Sequence, residues 1–170
     1  MSNKKVGDLE KIYTPNKLTD FLIEQVKKFN NTPITEILEP AAGSGQMVDR
    51  IQEHYESVPI LAYDIYNETG RDDIIEADFL KLKGLEYKPG RITIMNPPFT
   101  KGLKFIYKCL EYSDLVFAIT SSNSFMNVDY DKYEMLELYF IKQAEFSDGN
   151  KYAINIMVIK KKGELDEFWK

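Results

Sequence analysis

The sequence predicts an α/β fold: a mostly parallel sheet with helices on both faces and an antiparallel hairpin at one edge. Three observations predict it. Short β-branched apolar runs alternate with longer segments of helical period along the chain. A glycine turn, Gly43-Ser44-Gly45, joins the first strand to a helix. Near the C-terminus two strand-like runs flank Ser147-Asp148-Gly149-Asn150, a hairpin signal.

The elements follow in order. Thr14-Pro15 opens a helical pattern through Leu18, Phe21, Leu22, Ile23 and Val26, which closes near Asn30-Asn31. Thr35 to Leu38 is a short strand, and a helix runs from about Ser44 to Tyr55. Ile60 to Tyr63 is a second strand ending at Asp64, and Ile74-Ile75 a brief third before Asp78. Ile92 to Met95 is a fourth, stopped by Pro97-Pro98. Lys101 to Tyr112 reads as a helix, Leu115 to Ile119 as a fifth strand, and Tyr130 to Leu138 as a helix. Tyr139 to Phe146 and Tyr152 to Ile159 form the closing hairpin, for seven strands in all.

Composition bounds the function. The 170 residues suit one domain, and 44% apolar content marks a globular chain. A net charge of −5 argues against a generic nucleic-acid coat or a polybasic membrane binder. The N-terminus lacks the apolar run of a signal peptide, and no stretch approaches a membrane span. A single cysteine, Cys109, excludes an intramolecular disulfide, and with one histidine, His54, no metal site is expected. A reducing, cytoplasmic setting is the expectation. Within this acidic chain, Lys81, Lys83, Lys88, Arg91, Lys101, Lys104 and Lys108 stand against one acid, Glu86. This block reads either as a solvated face or as a phosphate-contacting strip.

In parallel sheets ligands sit at the carboxyl ends of the strands, so the strand ends carry the candidate site. Glu39-Pro40-Ala41-Ala42-Gly43-Ser44-Gly45 lets a ligand approach the backbone at a helix N-terminus. Asp64 follows at the end of the second strand, where a carboxylate can accept from a ribose diol. Val48 stands where a dinucleotide fingerprint places its third glycine, which suggests a nucleoside ligand without a pyrophosphate. Asp78-Phe79 could receive and pack an adenine. Asn96-Pro97-Pro98-Phe99 is a stiff turn whose carboxamide and free carbonyls can accept from an exocyclic NH2, with Phe99 as a stacking face. Each segment also admits a plain structural role as a turn, a surface acid or a core aromatic.

Taken together, these motifs resemble the class I AdoMet-dependent amino-methyltransferases, specifically the adenine-N6 DNA methyltransferases with cofactor motifs first. The resemblance covers roughly residues 12–160. It rests on Tyr13-Thr14-Pro15, the Glu39 to Gly45 loop, Asp64, Asp78-Phe79 and Asn96-Pro97-Pro98-Phe99, in that order. Phe146-Ser147-Asp148-Gly149 to Ile159 also looks like the family's closing strands. The resemblance implies a Rossmann-like sheet, AdoMet as cofactor with AdoHcy as product, no metal, and transfer to adenine N6 in DNA or RNA. It implies that Tyr13, Thr14 and Pro15 line the methionine end of AdoMet, and that Glu39, Ala41, Gly43 and Gly45 form its loop. Asp64 would hold the ribose, Asp78 and Phe79 the cofactor's adenine. Asn96, Pro97 and Pro98 would orient the target amine and Phe99 would stack on the base.

Lys101, Lys104 and Lys108, at i, i+3 and i+7, are expected to meet the nucleic-acid backbone from one helix face. The chain is expected to be a single catalytic domain, residues 1–170, without a separate target-recognition domain. Recognition then falls to a partner subunit or a second copy, or selectivity is slight, or the substrate is not duplex DNA. Two further readings stay open: methylation of an amine in RNA or of a protein glutamine, and a non-catalytic AdoMet-fold subunit. His54 reads as a surface residue and Cys109 as core. Tyr130, Tyr133, Tyr139 and Phe140 read as packing the last helix on the sheet, or as a base-stacking patch beside Ser121 to Phe125. Lys160 to Lys162 read as solvated, and Phe168-Trp169 as a docking terminus.

Overall fold

A computed structural model describes residues 13–163. Its sheet has seven strands: β1 (Glu36–Glu39), β2 (Ile60–Asp64), β3 (Ile74–Glu76), β4 (Arg91–Met95), β5 (Leu115–Ser121), β6 (Tyr133–Glu145) and β7 (Lys151–Lys161). They lie in the order β3-β2-β1-β4-β5-β7-β6. β1 to β5 are mutually parallel, and β7 runs antiparallel between β5 and β6. The hairpin therefore sits at one edge, as the sequence predicts.

Helices cover both faces. α1 (Asn16–Phe29) begins after Pro15, a residue that presets φ for a helix start, and buries Leu18, Leu22, Ile23 and Val26. It packs with Met47 and Ile51 of α2 (Gln46–His54) over Ile37, Ile92, Ile94, Phe117 and Ile119. On the opposite face α3 (Gly102–Cys109) buries Phe105, Ile106 and Cys109 against Leu38, Met95, Val116 and Ala118. β4 and β5 are buried on both faces, as central parallel strands are. Burial raises the Cys109 thiol well above its ordinary range, consistent with a core role. His54 lies near Asp20 on the α1–α2 surface, Nε2 to Oδ1 3.4 Å.

The structure corrects one element. The expected helix at Tyr130–Leu138 is absent; Tyr133 to Glu145 form the 13-residue strand β6. A register irregularity between Met135 and Glu137 breaks the two-residue alternation. Tyr133, Met135 and Leu138 face one side of the sheet, Leu136, Tyr139 and Ile141 the other. That spacing imitates a helical stripe, and the helix-forming Glu, Met and Leu residues reinforce it. Pairing along most of β7 overrides the local preference.

The basic block also divides. Arg91 is buried, its guanidinium on Glu36 at 2.8–2.9 Å and on the carbonyls of Glu86 and Tyr112. Lys88 pairs with Glu36, Lys81 with Asp78 and Lys108 with Glu111. The block is thus partly a set of structural ion pairs. Lys160 likewise pairs with Glu134, and Lys162 Nζ donates to the Tyr130 carbonyl. Phe168 and Trp169 lie outside the described residues. No helix among the described residues is long and apolar enough to cross a membrane.

Candidate functional site

The strand ends bring Tyr13-Thr14, the Glu39 to Ser44 loop and Asn96 into one cleft at the carboxyl edge of β1 and β4, while Asp64, Asp78-Phe79 and Phe99 lie outside its lining. The glycine turn makes its floor. Gly43 and Gly45 adopt φ +55° and +85°, a left-handed conformation costly for other residues. The Tyr13 ring lies over Gly43, where an added Cβ would sit 3.5 Å from it. Arg71 closes over Gly45 so tightly that a Cβ would approach its guanidinium to 2.4 Å. Arg71 is held there by Asp49 and Asp73, both at 2.7 Å.

Glu39 ends β1 with 1% exposure. Its Oε1 accepts the Ala41 N–H at 3.0 Å. Burial pushes its carboxyl up to about 8, and the neighbouring charge of Asp64 adds to the rise. A buried acid facing a cleft is suited to a cationic ligand, which would favour its ionised form.

Asp64 departs from the free ribose acceptor that was expected. Its Oδ2 accepts the Gly43 N–H at 2.8 Å and its Oδ1 the Tyr66 N–H at 2.9 Å. Each oxygen keeps a second lone pair, so the carboxylate can brace the loop and still accept from a diol. Ile65 and Tyr66, immediately after it, are 47% and 46% exposed. The sequence reading passed over both; their signal was an apolar pair directly beyond a strand-end acid. Arg71 gave no local signal, lying 26 residues from Gly45.

The Asp78-Phe79 expectation divides. Asp78 is partly exposed and paired with Lys81 at 3.1 Å. The Phe79 ring is buried against Tyr63, Phe105 and Tyr112. It is a core ring, which leaves only its backbone to offer a ligand. The driving force is the apolar face of α3 above it.

The Asn96 carboxamide is fixed from outside its own motif. Its Nδ2 donates to Thr14 Oγ1 at 2.8 Å. Its Oδ1 is buried and accepts from no described group. A buried carbonyl oxygen left this way costs free energy unless something donates to it. The residues to either side are rigid: Pro97 is buried, Pro98 half-buried, and a 3-10 turn, Phe99–Lys101, follows. The Phe99 ring rests edge-on against Phe146 and Tyr152, centroids 6.1 and 6.0 Å away. In this conformation it belongs to an aromatic trio rather than standing free as a stacking face.

Tyr13 N donates to Ser147 Oγ at 2.9 Å, and Ser147 N to the Tyr13 carbonyl. Residues 13–15 therefore tie the glycine loop, Asn96 and the β6–β7 turn together. Pro15 caps α1 from this segment. Lys101 and Lys104 are exposed just beyond the Asn96 turn. Lys108, two turns along α3, lies over the Tyr112 ring at 5.2 Å and pairs with Glu111. Among the described residues no group of three or more His, Cys, Asp or Glu side chains is placed to hold a metal ion.

No family model matches the chain. In sequence it is similar to the modification methylase CviBIII of Paramecium bursaria Chlorella virus NC1A, 24% identical over 185 aligned positions. That match covers 86% of this chain and 48% of the methylase, so the chain spans about half the length of this relative. Solved structures share the architecture. A type I restriction-modification methyltransferase subunit from Streptococcus thermophilus superposes with a TM-score of 0.69 at 10% identity, covering 91% of this chain and 46% of that one. The 23S rRNA methyltransferase ErmE gives 0.63 at 15%, covering 89% and 70%. A dimethyladenosine transferase from Plasmodium falciparum gives 0.59 at 12%, covering 94% and 65%. The chain has the fold of the class I AdoMet-dependent methyltransferases and resembles a DNA modification methylase in sequence.

Proposed function

We propose that the chain transfers a methyl group from AdoMet to the exocyclic N6 of adenine in DNA. The observation that carries this reading is the Asn96 carboxamide, with its NH2 anchored by Thr14 and its oxygen buried without a donor. The vacant acceptor is complementary to a planar amine.

The chemistry of the residues at and beside the cleft suits AdoMet. Gly43 turns the loop beneath the Tyr13 ring, Glu39 would supply a buried acid for a cationic ligand, and Asp64 would accept from a ribose diol, whereas Gly45 is covered by Arg71, which would have to move before a ligand met its backbone. Tyr13, Thr14 and Pro15 would line the methionine end, Asp78 and the Phe79 backbone the adenine end. The exposed Ile65 supplies apolar surface beside the nucleoside. When bound, the cofactor supplies an electrophilic methyl on sulfonium. Asn96 Oδ1 and the carbonyls of the Pro97-Pro98 turn accept from the target NH2 and draw its nitrogen lone pair out of the ring. So held, that nitrogen would be oriented toward the methyl the cofactor supplies, and its excess proton would pass to solvent. Orientation and preorganised acceptors supply the catalysis. Phe99 reaches the target base only by leaving Phe146 and Tyr152, or by offering an edge from where it stands.

The sequence resemblance to a DNA modification methylase favours DNA as acceptor. The small number of uncommitted lysines near the site argues against tight duplex binding and keeps a second reading, an adenine in single-stranded RNA. A partner subunit supplying recognition belongs to the same proposal. The test is label transfer from methyl-tritiated AdoMet to DNA, RNA and protein, followed by nucleoside digestion. Label in N6-methyladenine from DNA is expected. Label confined to RNA or protein, or none with AdoMet bound, overturns the reading.

A further inference from the structure

We propose that Phe125, Met126, Tyr130 and Phe140 form a ledge for unpaired bases flanking the target, so that the preferred acceptor is single-stranded DNA. The proposal rests on the DNA adenine reading above.

The ledge is built where the sequence suggested either a packed helix or a base-stacking patch beside Ser121 to Phe125. Phe125 and Phe140 meet edge to face at 5.3 Å. The Tyr130 hydroxyl donates to the Phe125 carbonyl at 2.9 Å. Met126, Phe140 and Tyr130 are nonetheless 63%, 59% and 47% exposed. Large apolar groups exposed side by side mark an interaction surface.

Its position points to the substrate of the neighbouring site. The loop after β5 is fastened over the sheet end: Asn155 Nδ2 donates to the carbonyls of Ser121 and Ser122, and Ser121 and Ser124 share a 2.7 Å hydroxyl bond. Phe140 pairs opposite Asn155 in register. Phe140 and the loop carrying Phe125 therefore share a rim of the sheet with Asn96, and the Tyr130 hydroxyl reaches that loop from the other end of β6. β6 is three strand spacings from β4, about 14 Å. A stacked nucleic-acid strand covers that span in about four nucleotides at 3.4 Å each.

Charge selects the occupant. Lys101 in the turn before α3, Lys104 on α3 and Lys142 at the same end of β6 form no ion pair among the described residues. Aromatic faces with scattered lysines are the composition of single-strand grooves. A duplex would be held chiefly through many phosphate contacts, yet Lys81, Lys88, Arg91 and Lys108 are already paired with acids. In a duplex the flanking bases also stack on each other and hide the faces this ledge would receive. An unpaired strand presents those faces and spares the cost of flipping the target.

The test compares one adenine-containing oligodeoxynucleotide as a single strand, as a duplex with its complement, and as the oligoribonucleotide of the same sequence. Methyl transfer is followed for wild type, Phe140→Ser and Phe140→Trp, with melting temperature and AdoMet affinity recorded for each. Wild type is expected to show its lowest KM on the single DNA strand. Phe140→Ser is expected to raise that KM roughly five- to a hundredfold, while Phe140→Trp, which keeps both packing and stacking, stays near wild type. AdoMet affinity is expected to be unchanged in both.

A lower KM on duplex, or an unchanged single-strand KM in a folded Phe140→Ser, overturns the proposal while leaving the DNA reading intact. A lower KM on the oligoribonucleotide moves the acceptor to RNA and overturns the assignment to DNA. Wild-type self-association that Phe140→Ser abolishes without altering KM assigns the ledge to a second copy of the chain. AdoMet binding with no label in either DNA form overturns the underlying reading together with the ledge.

Discussion

Thr14 Oγ1 accepts the Asn96 Nδ2 hydrogen at 2.8 Å across 82 residues of sequence. The bond decides which way the carboxamide faces, because an unanchored amide could present either its oxygen or its NH2 to the cleft. Thr14→Val keeps the shape and removes the acceptor. We expect it to lower kcat about tenfold, with AdoMet affinity near wild type, and Thr14→Ser to restore most of the rate. Asn96→Ala should cost a factor of about 10²–10³, the usual toll of deleting a transition-state hydrogen-bonding group. Single-turnover kinetics with AdoMet prebound checks both, and a wild-type rate in Asn96→Ala would remove the polarisation mechanism.

If Glu39 meets the cofactor as proposed, binding is expected to depend on pH. Its carboxyl is raised to about 8 in the folded chain, from an ordinary value of 4.5. A cationic cofactor favours the ionised acid, so AdoMet affinity should improve as pH rises toward about 8, by up to tenfold per pH unit, and then level. At pH 7 binding should release a proton, which calorimetry in buffers of different ionisation enthalpy reads directly. Stability without cofactor should move the opposite way. Between pH 4.5 and about 8 the folded chain holds a proton that the unfolded chain has lost. Glu39 therefore makes folding less favourable as pH rises through that window. Glu39→Gln should flatten both profiles and melt above wild type at pH 9; unchanged profiles would mean that Glu39 does not titrate there.

Much of this site was legible because its chemistry lies in short contiguous motifs at strand ends. Glu39, Gly43, Asp64 and Asn96 could be placed at one sheet edge from alternating elements alone. Distant partnerships were not legible. Thr14 with Asn96, Tyr13 with Ser147 and Arg71 over Gly45 join segments that only the fold brings together. The β6 strand was misread because a register irregularity gave its apolar residues a helical spacing. Phe79 was misread because an aromatic after an acid fits a core equally well. The ion pairs of Lys81, Lys88 and Lys108 gave no sequence signal because their acids Asp78, Glu36 and Glu111 lie outside the basic cluster.

Asp64 braces the glycine loop and is proposed to hold the cofactor ribose, and the two roles separate by substitution. Asp64→Ala deprives the Gly43 and Tyr66 amides of their acceptor, so we expect a lower melting temperature even without cofactor. AdoMet and AdoHcy should weaken by a similar ten- to hundredfold factor, because the ribose is common to both. Asp64→Asn keeps one carbonyl oxygen and should fall between. Calorimetric titration of both ligands checks this, and unchanged affinities in a folded Asp64→Ala would take Asp64 out of the cofactor site.

The lysines after the Asn96 turn divide by their partners. Lys101 and Lys104 are exposed beside the proposed acceptor site, whereas Lys108 is held by Glu111 and the Tyr112 ring farther along α3. Each phosphate contact on a single strand contributes about 0.7 to the log–log salt slope. The Lys101→Gln/Lys104→Gln double variant should therefore flatten that slope by about 1.4 and raise KM for the oligodeoxynucleotide, with AdoMet affinity intact. Lys108→Gln should leave slope and KM near wild type, since its ammonium is already engaged away from the rim. Transfer measured over a range of salt concentrations distinguishes the two. An equal effect from Lys108→Gln would restore a continuous three-lysine face, and no effect from the double variant would show that these side chains only solvate the helix.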